Sequence, residues 1–215
     1  MNQILETNPK KSKFKKTINS SKVFKIQLVI SIFILGILVF FCIYYITTLK
    51  NRESLSNSIL SNYNIYKLYS NISNDYTSNL NNQSDPDEGD IFGIIKIPKI
   101  NIEYSVFSKL TEDQLKISPC KFYGGSPKDN GNICIAGHNY DNSLFFSNLK
   151  LLQKNDEIFL YDNFDNEYIY KVFSIYETNE NDLSPIFNYE NNSKELTLIT
   201  CNNFNKKRII VKAKM

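Results

Sequence analysis

Cys201 closes the block Thr197-Leu198-Ile199-Thr200-Cys201, and seven positions later Arg208 opens a second apolar run. The chain's one histidine, His138, ends another such run, Asn132-Ile133-Cys134-Ile135-Ala136-Gly137-His138. A thiol, an imidazole and a guanidinium, each at the end of a predicted strand, are the parts of a nucleophile, a proton carrier and an oxyanion partner. A free thiol has a pKa near 8.5, so at neutral pH only a few per cent is thiolate unless neighbours such as His138 and Arg208 stabilise it. With a single imidazole in the sequence, any Cys–His chemistry must use His138.

Each residue also has a bland reading. A cysteine after an apolar strand is commonly a small buried hydrophobe, Gly-His-Asn is commonly a turn, and an arginine at a strand start commonly faces solvent. The order, the spacing and the uniqueness of His138 favour catalysis, because a cysteine nucleophile requires such a partner.

Short strands must hold these groups. Runs rich in β-branched and aromatic residues lie at 91–97, 103–107, 132–136, 157–161, 167–175, 196–200 and 208–213. In the fifth, Tyr168, Tyr170 and Val172 alternate with Ile169, Lys171 and Phe173. Turn signals such as Gly124-Gly125, Asp129-Asn130-Gly131, Asp162-Asn163 and Asp165-Asn166 separate them. Closely spaced strands without helical crossovers suggest a small barrel or sandwich, with helical turns at 111–116, 143–149 and 182–187. Only residues 202–207 separate Cys201 from Arg208, and so short a loop joins antiparallel neighbours. Both residues then stand at one end of the sheet, where His138 can complete the group.

The N-terminal part is of another kind. Lys10, Lys11, Lys13, Lys15, Lys16, Lys22 and Lys25 face Glu6 alone, so of the formal +3 the remaining chain carries −3. A nucleic-acid-binding domain concentrates positive charge on its folded part, and this chain does not. Residues 26–49 hold no charge and are mostly apolar. As a helix they would span roughly 36 Å, enough for a hydrocarbon core of about 30 Å. The lysines before this run outnumber Lys50 and Arg52 after it, which places the N-terminus in the cytoplasm and the C-terminal half outside. The run is longer than the apolar region of a cleaved signal peptide, and nothing like Ala-x-Ala follows it. Bulky Val39, Phe40 and Phe41 before Cys42 argue against lipid attachment there.

Four divisions follow: a basic cytoplasmic tail at 1–25, a transmembrane signal anchor at 26–49, an Asn/Ser-rich stalk or linker at 50–89, and a catalytic domain at 90–215. Within the stalk, Leu55, Ile59, Tyr63, Tyr66, Tyr69, Ile72, Tyr76 and Leu80 recur at helical spacing before the breaker-rich stretch 81–89. Of the four cysteines, Cys120 and Cys134 are left either to pair or to remain buried thiols. No Cys-x-x-Cys spacing supports a zinc site.

The Thr-Leu-Ile-Thr-Cys block, the block Ile135-Ala136-Gly137-His138, the block Arg208-Ile209-Ile210-Val211 and a weaker Ile97-Pro98-Lys99-Ile100 block occur in one order. Together they resemble the sortase family, the cysteine transpeptidases of Gram-positive cell surfaces, over residues 93–214. The resemblance implies a mainly β fold, a closed eight-stranded barrel with inserted helical turns, preceded here by one transmembrane helix. It implies catalysis by His138, Cys201 and Arg208, with Thr200 and Ala136 as substrate contacts and neither cofactor nor metal. The implied reaction cleaves a Leu-Pro-x-Thr-Gly-like sorting signal between Thr and Gly and passes the acyl group to an amine. The implied partners are surface proteins bearing that signal and an acceptor amine on a peptidoglycan precursor or a pilin. The short stretch between 175 and 196, Asp87 after Asp85-Pro86, and the end at Met215 point to class A or class D. Residues 123–130 hold one acid, Asp129, which argues against calcium activation. The alternatives are a cysteine endopeptidase that releases product to water, and a membrane-anchored binding module without catalysis.

Overall fold

In the computed structural model, residues 20–76, 91–140 and 142–215 are described, with side chains of the N-terminal helix described from 23 to 64. The expected basic tail up to residue 19 and the breaker-rich stretch at 81–89 lie outside the described residues, as do the side chains of Tyr66, Tyr69, Ile72, Tyr76 and Leu80.

The chain divides into two compact units, Met1–Thr48 and Leu49–Met215. One helix, α1 (Ser20–Tyr76), contributes to both. In the first unit its described side chains are almost all apolar and exposed, from Phe24 through Phe33 to Tyr45. A helix that is apolar on every side and buries none of it is long and apolar enough to cross a membrane.

The second unit is a closed barrel of eight strands. These are β1 (Ile91–Ile97), β2 (Ile102–Phe107), β3 (Cys120–Tyr123), β4 (Gly131–Ala136), β5 (Glu157–Tyr161), β6 (Glu167–Asn179), β7 (Lys194–Asn202) and β8 (Lys207–Lys214). Their order around the barrel is β1-β2-β3-β4-β7-β8-β6-β5, and β1 pairs with β5 to close it. Most neighbours are antiparallel, while β2–β3 and β4–β7 are parallel. Short helices α2 (Glu112–Leu115) and α3 (Ser184–Phe187) sit in the connections, and Thr111 caps α2 by accepting from the Gln114 N–H at 3.2 Å.

Inward positions alternate as the two-residue period requires. Tyr168, Tyr170 and Val172 of β6 join Ile95, Ile97, Ile135, Leu160, Leu196, Leu198 and Val211 in one core, while Ile169 and Lys171 stay outside. The outer face of β4 and β7 is covered as well. Asn132 donates to the carbonyls of Pro185 and Ile186 at 3.1 and 2.9 Å and accepts from Thr197 at 2.7 Å. These bonds seat α3 on the sheet, so Thr197 is buried although its neighbours Leu196 and Leu198 fill the interior.

The compact unit that holds the barrel begins at Leu49, and the first part of the expected stalk makes specific bonds to its loops. Arg52 donates to the Tyr140 hydroxyl at 2.7 Å, and Tyr63 donates to the Asn163 side-chain oxygen at 2.5 Å. Residues 49–64 thus lie in the same compact unit as the barrel and are bonded to its loops.

Candidate active site

The site is assembled at the end of β7. In the β7–β8 ladder Cys201 stands opposite Arg208. Directly opposed residues of an antiparallel pair present their side chains on one face, some 5 Å apart at Cβ. The Arg208 guanidinium uses that proximity, and its Nη1 donates to the Cys201 sulfur. Cys201 is expected at the end of its strand. The strand in fact continues through it to Asn202, because β8 supplies backbone partners up to Lys207.

His138 arrives from β4, the other neighbour of β7. The parallel register matches Ala136 to Ile199, and continuing it by two residues brings His138 alongside Cys201. Four bonds fix the loop on either side of the imidazole. The Gly137 N–H donates to the Ile199 carbonyl at 3.0 Å, and the Thr200 hydroxyl donates to the Gly137 carbonyl at 2.7 Å. Beyond the histidine, Asn139 donates to the Cys201 carbonyl at 2.8 Å, and Asn203 donates to the Asn139 carbonyl at 3.0 Å. The backbone carrying the histidine is thus bonded to the backbone carrying the cysteine, before and after the ring.

Gly137 must be glycine for this loop to lie down. A Cβ there would stand 2.6 Å from the ring of Phe146, one of the fully buried side chains. Phe146 is itself held by a bond from its N–H to the His138 carbonyl at 3.1 Å. Gly137→Ala is expected to displace the loop or the ring, lowering the melting temperature by several degrees and transfer activity by at least tenfold. Calorimetry and turnover of the same preparation check it; an alanine variant with both values unchanged would remove the steric argument.

Burial pushes the His138 pKa below its ordinary value, and the charges of Arg52 and Lys116 push the same way against Glu112. Both effects favour the neutral form of the imidazole. The sequence expectation gave both His138 and Arg208 a part in stabilising a thiolate. In the structure the direct contact to sulfur belongs to Arg208.

The two other expected contacts lie on β7 and β4. Thr200 is 2% exposed and its hydroxyl holds the Gly137 carbonyl, so its role here is to support the His138 loop. Ala136 is half-exposed at the end of β4, opposite both Ile199 and Cys120. Cys120 and Cys134 are free thiols, fully buried, and burial raises each pKa to about 12. Asn139 and Asn203 are site residues that motif reasoning overlooks. Asn139 follows the histidine directly, which was the available signal, whereas nothing local marks Asn203.

A cavity of about 300 Å³ has Asn139, Glu177, Asn202, Phe204 and Ile209 in its wall, while Cys201, His138 and Arg208 do not line it. Among the described residues no cluster of three or more His, Cys, Asp or Glu side chains is arranged to hold a metal ion.

The family model described as the Sortase domain matches residues 95–215, more than half of the chain. The chain belongs to the sortase family. A Bacillus anthracis protein named Sortase A is 33% identical over 128 residues, which is 58% of this chain and 60% of that relative. A Staphylococcus aureus Sortase A is 30% identical over 125 residues, covering 56% of this chain and 60% of the relative. The aligned part thus spans about 60% of the length of these curated relatives. Among solved structures, a Clostridium perfringens protein described as a Sortase D5 transpeptidase superposes with a TM-score of 0.59 at 30% identity. That match covers 75% of this chain and 98% of the other. A Listeria monocytogenes sortase A follows with a TM-score of 0.52 at 26% identity, covering 58% of this chain and 86% of the other. The sortase barrel is therefore the same architecture that the strand order describes.

Proposed function

We propose that this sortase is a membrane-anchored cysteine transpeptidase that cleaves a Leu-Pro-x-Thr-Gly-like sorting signal between Thr and Gly. The observation that carries this reading is the guanidinium of Arg208 on the sulfur of Cys201, with His138 bound alongside by the Gly137 and Asn139 bonds.

The chemistry follows from the protonation states. Neutral His138 takes the Cys201 proton, and the Arg208 guanidinium shares the charge left on sulfur. The sulfur attacks the Thr carbonyl carbon, and Arg208 donates to the oxyanion that forms. The C–N bond to Gly then breaks, and imidazolium His138 gives its proton to the departing amine nitrogen. An acceptor amine attacks the thioester, loses a proton to His138, and displaces the Cys201 sulfur. The acceptor is an amine of the cell wall or of another surface protein. Ala136, half-exposed at the end of β4, is the substrate contact of the expected pair, and Thr200 acts through the Gly137 carbonyl that it holds.

The membrane reading assigns residues 26–49 to the bilayer, with the lysine-rich side in the cytoplasm and the barrel outside. The relatives' names support class A or class D.

The test is incubation of the full chain in lipid nanodiscs with a Leu-Pro-x-Thr-Gly peptide, with and without an added amine, read by mass spectrometry. Amine-dependent ligation through a Cys201 thioester supports the reading. Hydrolysis alone would make it an endopeptidase, and no adduct on Cys201 would make it a binding module.

Calcium is expected to leave the rate unchanged. Residues 123–130 supply one carboxylate, Asp129, and Ca²⁺ takes about six to eight oxygen ligands. A several-fold rise in ligation with millimolar calcium, reversed by a chelator, would contradict this.

A further inference from the structure

His138 is packed against a second aromatic system that the reaction does not use. The Tyr140 ring lies 5.0 Å from the imidazole, tilted by 35°, and 5.8 Å from the ring of Phe145. The backbone of this segment is fixed, since the Tyr140 N–H donates to the Ser147 hydroxyl at 3.0 Å and Phe145 donates to the Tyr104 hydroxyl at 3.2 Å. The outer end of Tyr140 is met by Arg52 of α1. Its Nη1 donates to the phenol oxygen at 2.7 Å, and its guanidinium carbon stands 5.1 Å over the same ring. One arginine thus grips the tyrosine by edge and face, and the tyrosine lies against the imidazole.

We propose that Arg52 is a positioning residue for His138, acting through the ring of Tyr140, so that residues 49–64 of α1 form part of the working enzyme. The inference rests on the transpeptidase reading above. Arg52 touches no reacting atom. A guanidinium stacked on an aromatic face and bonded to its hydroxyl fixes the ring in two ways at once, which a lysine ammonium cannot reproduce. A fixed ring in turn limits the orientations open to the imidazole, and proton transfer depends on that orientation.

The charges around His138 give the arrangement an electrostatic reading as well. Arg52 faces it from α1, Lys116 and Glu112 from α2, and Cys201 with Arg208 from the β7–β8 pair. Arg52 disfavours the imidazolium, so its removal raises the midpoint of the His138 titration.

The chain has one histidine, which allows a direct test. Full-length protein carrying ¹³Cε1-histidine, in nanodiscs, gives a single imidazole signal to follow against pH. R52Q is expected to move that midpoint up by a few tenths of a pH unit, to change the ring-current shift from Tyr140, and to lower kcat about three- to tenfold with KM nearly constant. R52K is expected to restore the midpoint but only part of kcat, and Y140F to keep the stacking shift while losing the Arg52 bond. K154Q, which changes an exposed charge outside α1, serves as the control.

An R52Q enzyme with the wild-type titration, shift and kcat would overturn the proposal. So would lost kcat with an unmoved imidazole signal, because that is loss of general stability, and so would a moved signal with unchanged kcat. A wild-type enzyme that forms no thioester would sink the transpeptidase reading instead, while the imidazole signals still report on the Arg52–Tyr140 contact.

Discussion

Cys201→Ala is expected to abolish thioester formation and ligation altogether, and His138→Ala to reduce both to background. Neither residue has a substitute. His138 is the only imidazole, and Cys120 and Cys134 are fully buried thiols whose pKa values near 12 keep them protonated. Mass spectrometry after mixing with the sorting peptide reads the acyl adduct directly, independent of turnover. Cys120→Ala and Cys134→Ala are the matched controls, expected to retain the adduct with some loss of thermal stability. An inactive Cys134→Ala that is still folded by circular dichroism, beside an active Cys201→Ala, would reassign the nucleophile.

Arg208→Lys is expected to lower kcat by about 10²–10³ although it keeps the positive charge, the cost typical of losing one oxyanion donor. The arginine meets two demands together. It contacts the Cys201 sulfur across the ladder, and it has further N–H donors in the same plane for the oxygen of the attacked carbonyl. A lysine ammonium is a compact charge without that fork. Circular dichroism must show the barrel preserved. A lysine enzyme within about threefold of wild type would show that charge alone is needed, and the oxyanion role would then fall to other donors.

The sequence showed β1 and β5 to the residue, because their apolar runs are bounded by Pro, Asp or Gly and pair on both sides. It concealed β3, for reasons visible in the ladders. Only Cys120 pairs with β2, and a bulge between Lys121 and Tyr123 breaks the alternation. The end of β6 was hidden too. Glu177, Thr178 and Asn179 are polar, yet they extend the strand because Ile209, Arg208 and Lys207 stand opposite. Cys201, His138 and Arg208 stood out in the sequence because residue type alone suggests their chemistry, and the structure brings Arg208 onto the Cys201 sulfur. Arg52 was not, since its link to Tyr140 spans 88 residues and leaves no local pattern. Its cationic neighbourhood also reads as the flank of an apolar span.

The two strands that bear the thiol and the imidazole are joined in parallel, and the bond from Thr200 to Gly137 closes a loop of 63 residues. Long-range parallel pairing is slow to form, since loop closure precedes any gain from contact. The β7–β8 pair that brings Arg208 to the sulfur is local by contrast, with only residues 203–206 between its strands. The thiol and the guanidinium are thus neighbours by local pairing, whereas the thiol and the imidazole meet only through the slower long-range one. Until β4 docks beside β7, Cys201 has its arginine but not its histidine.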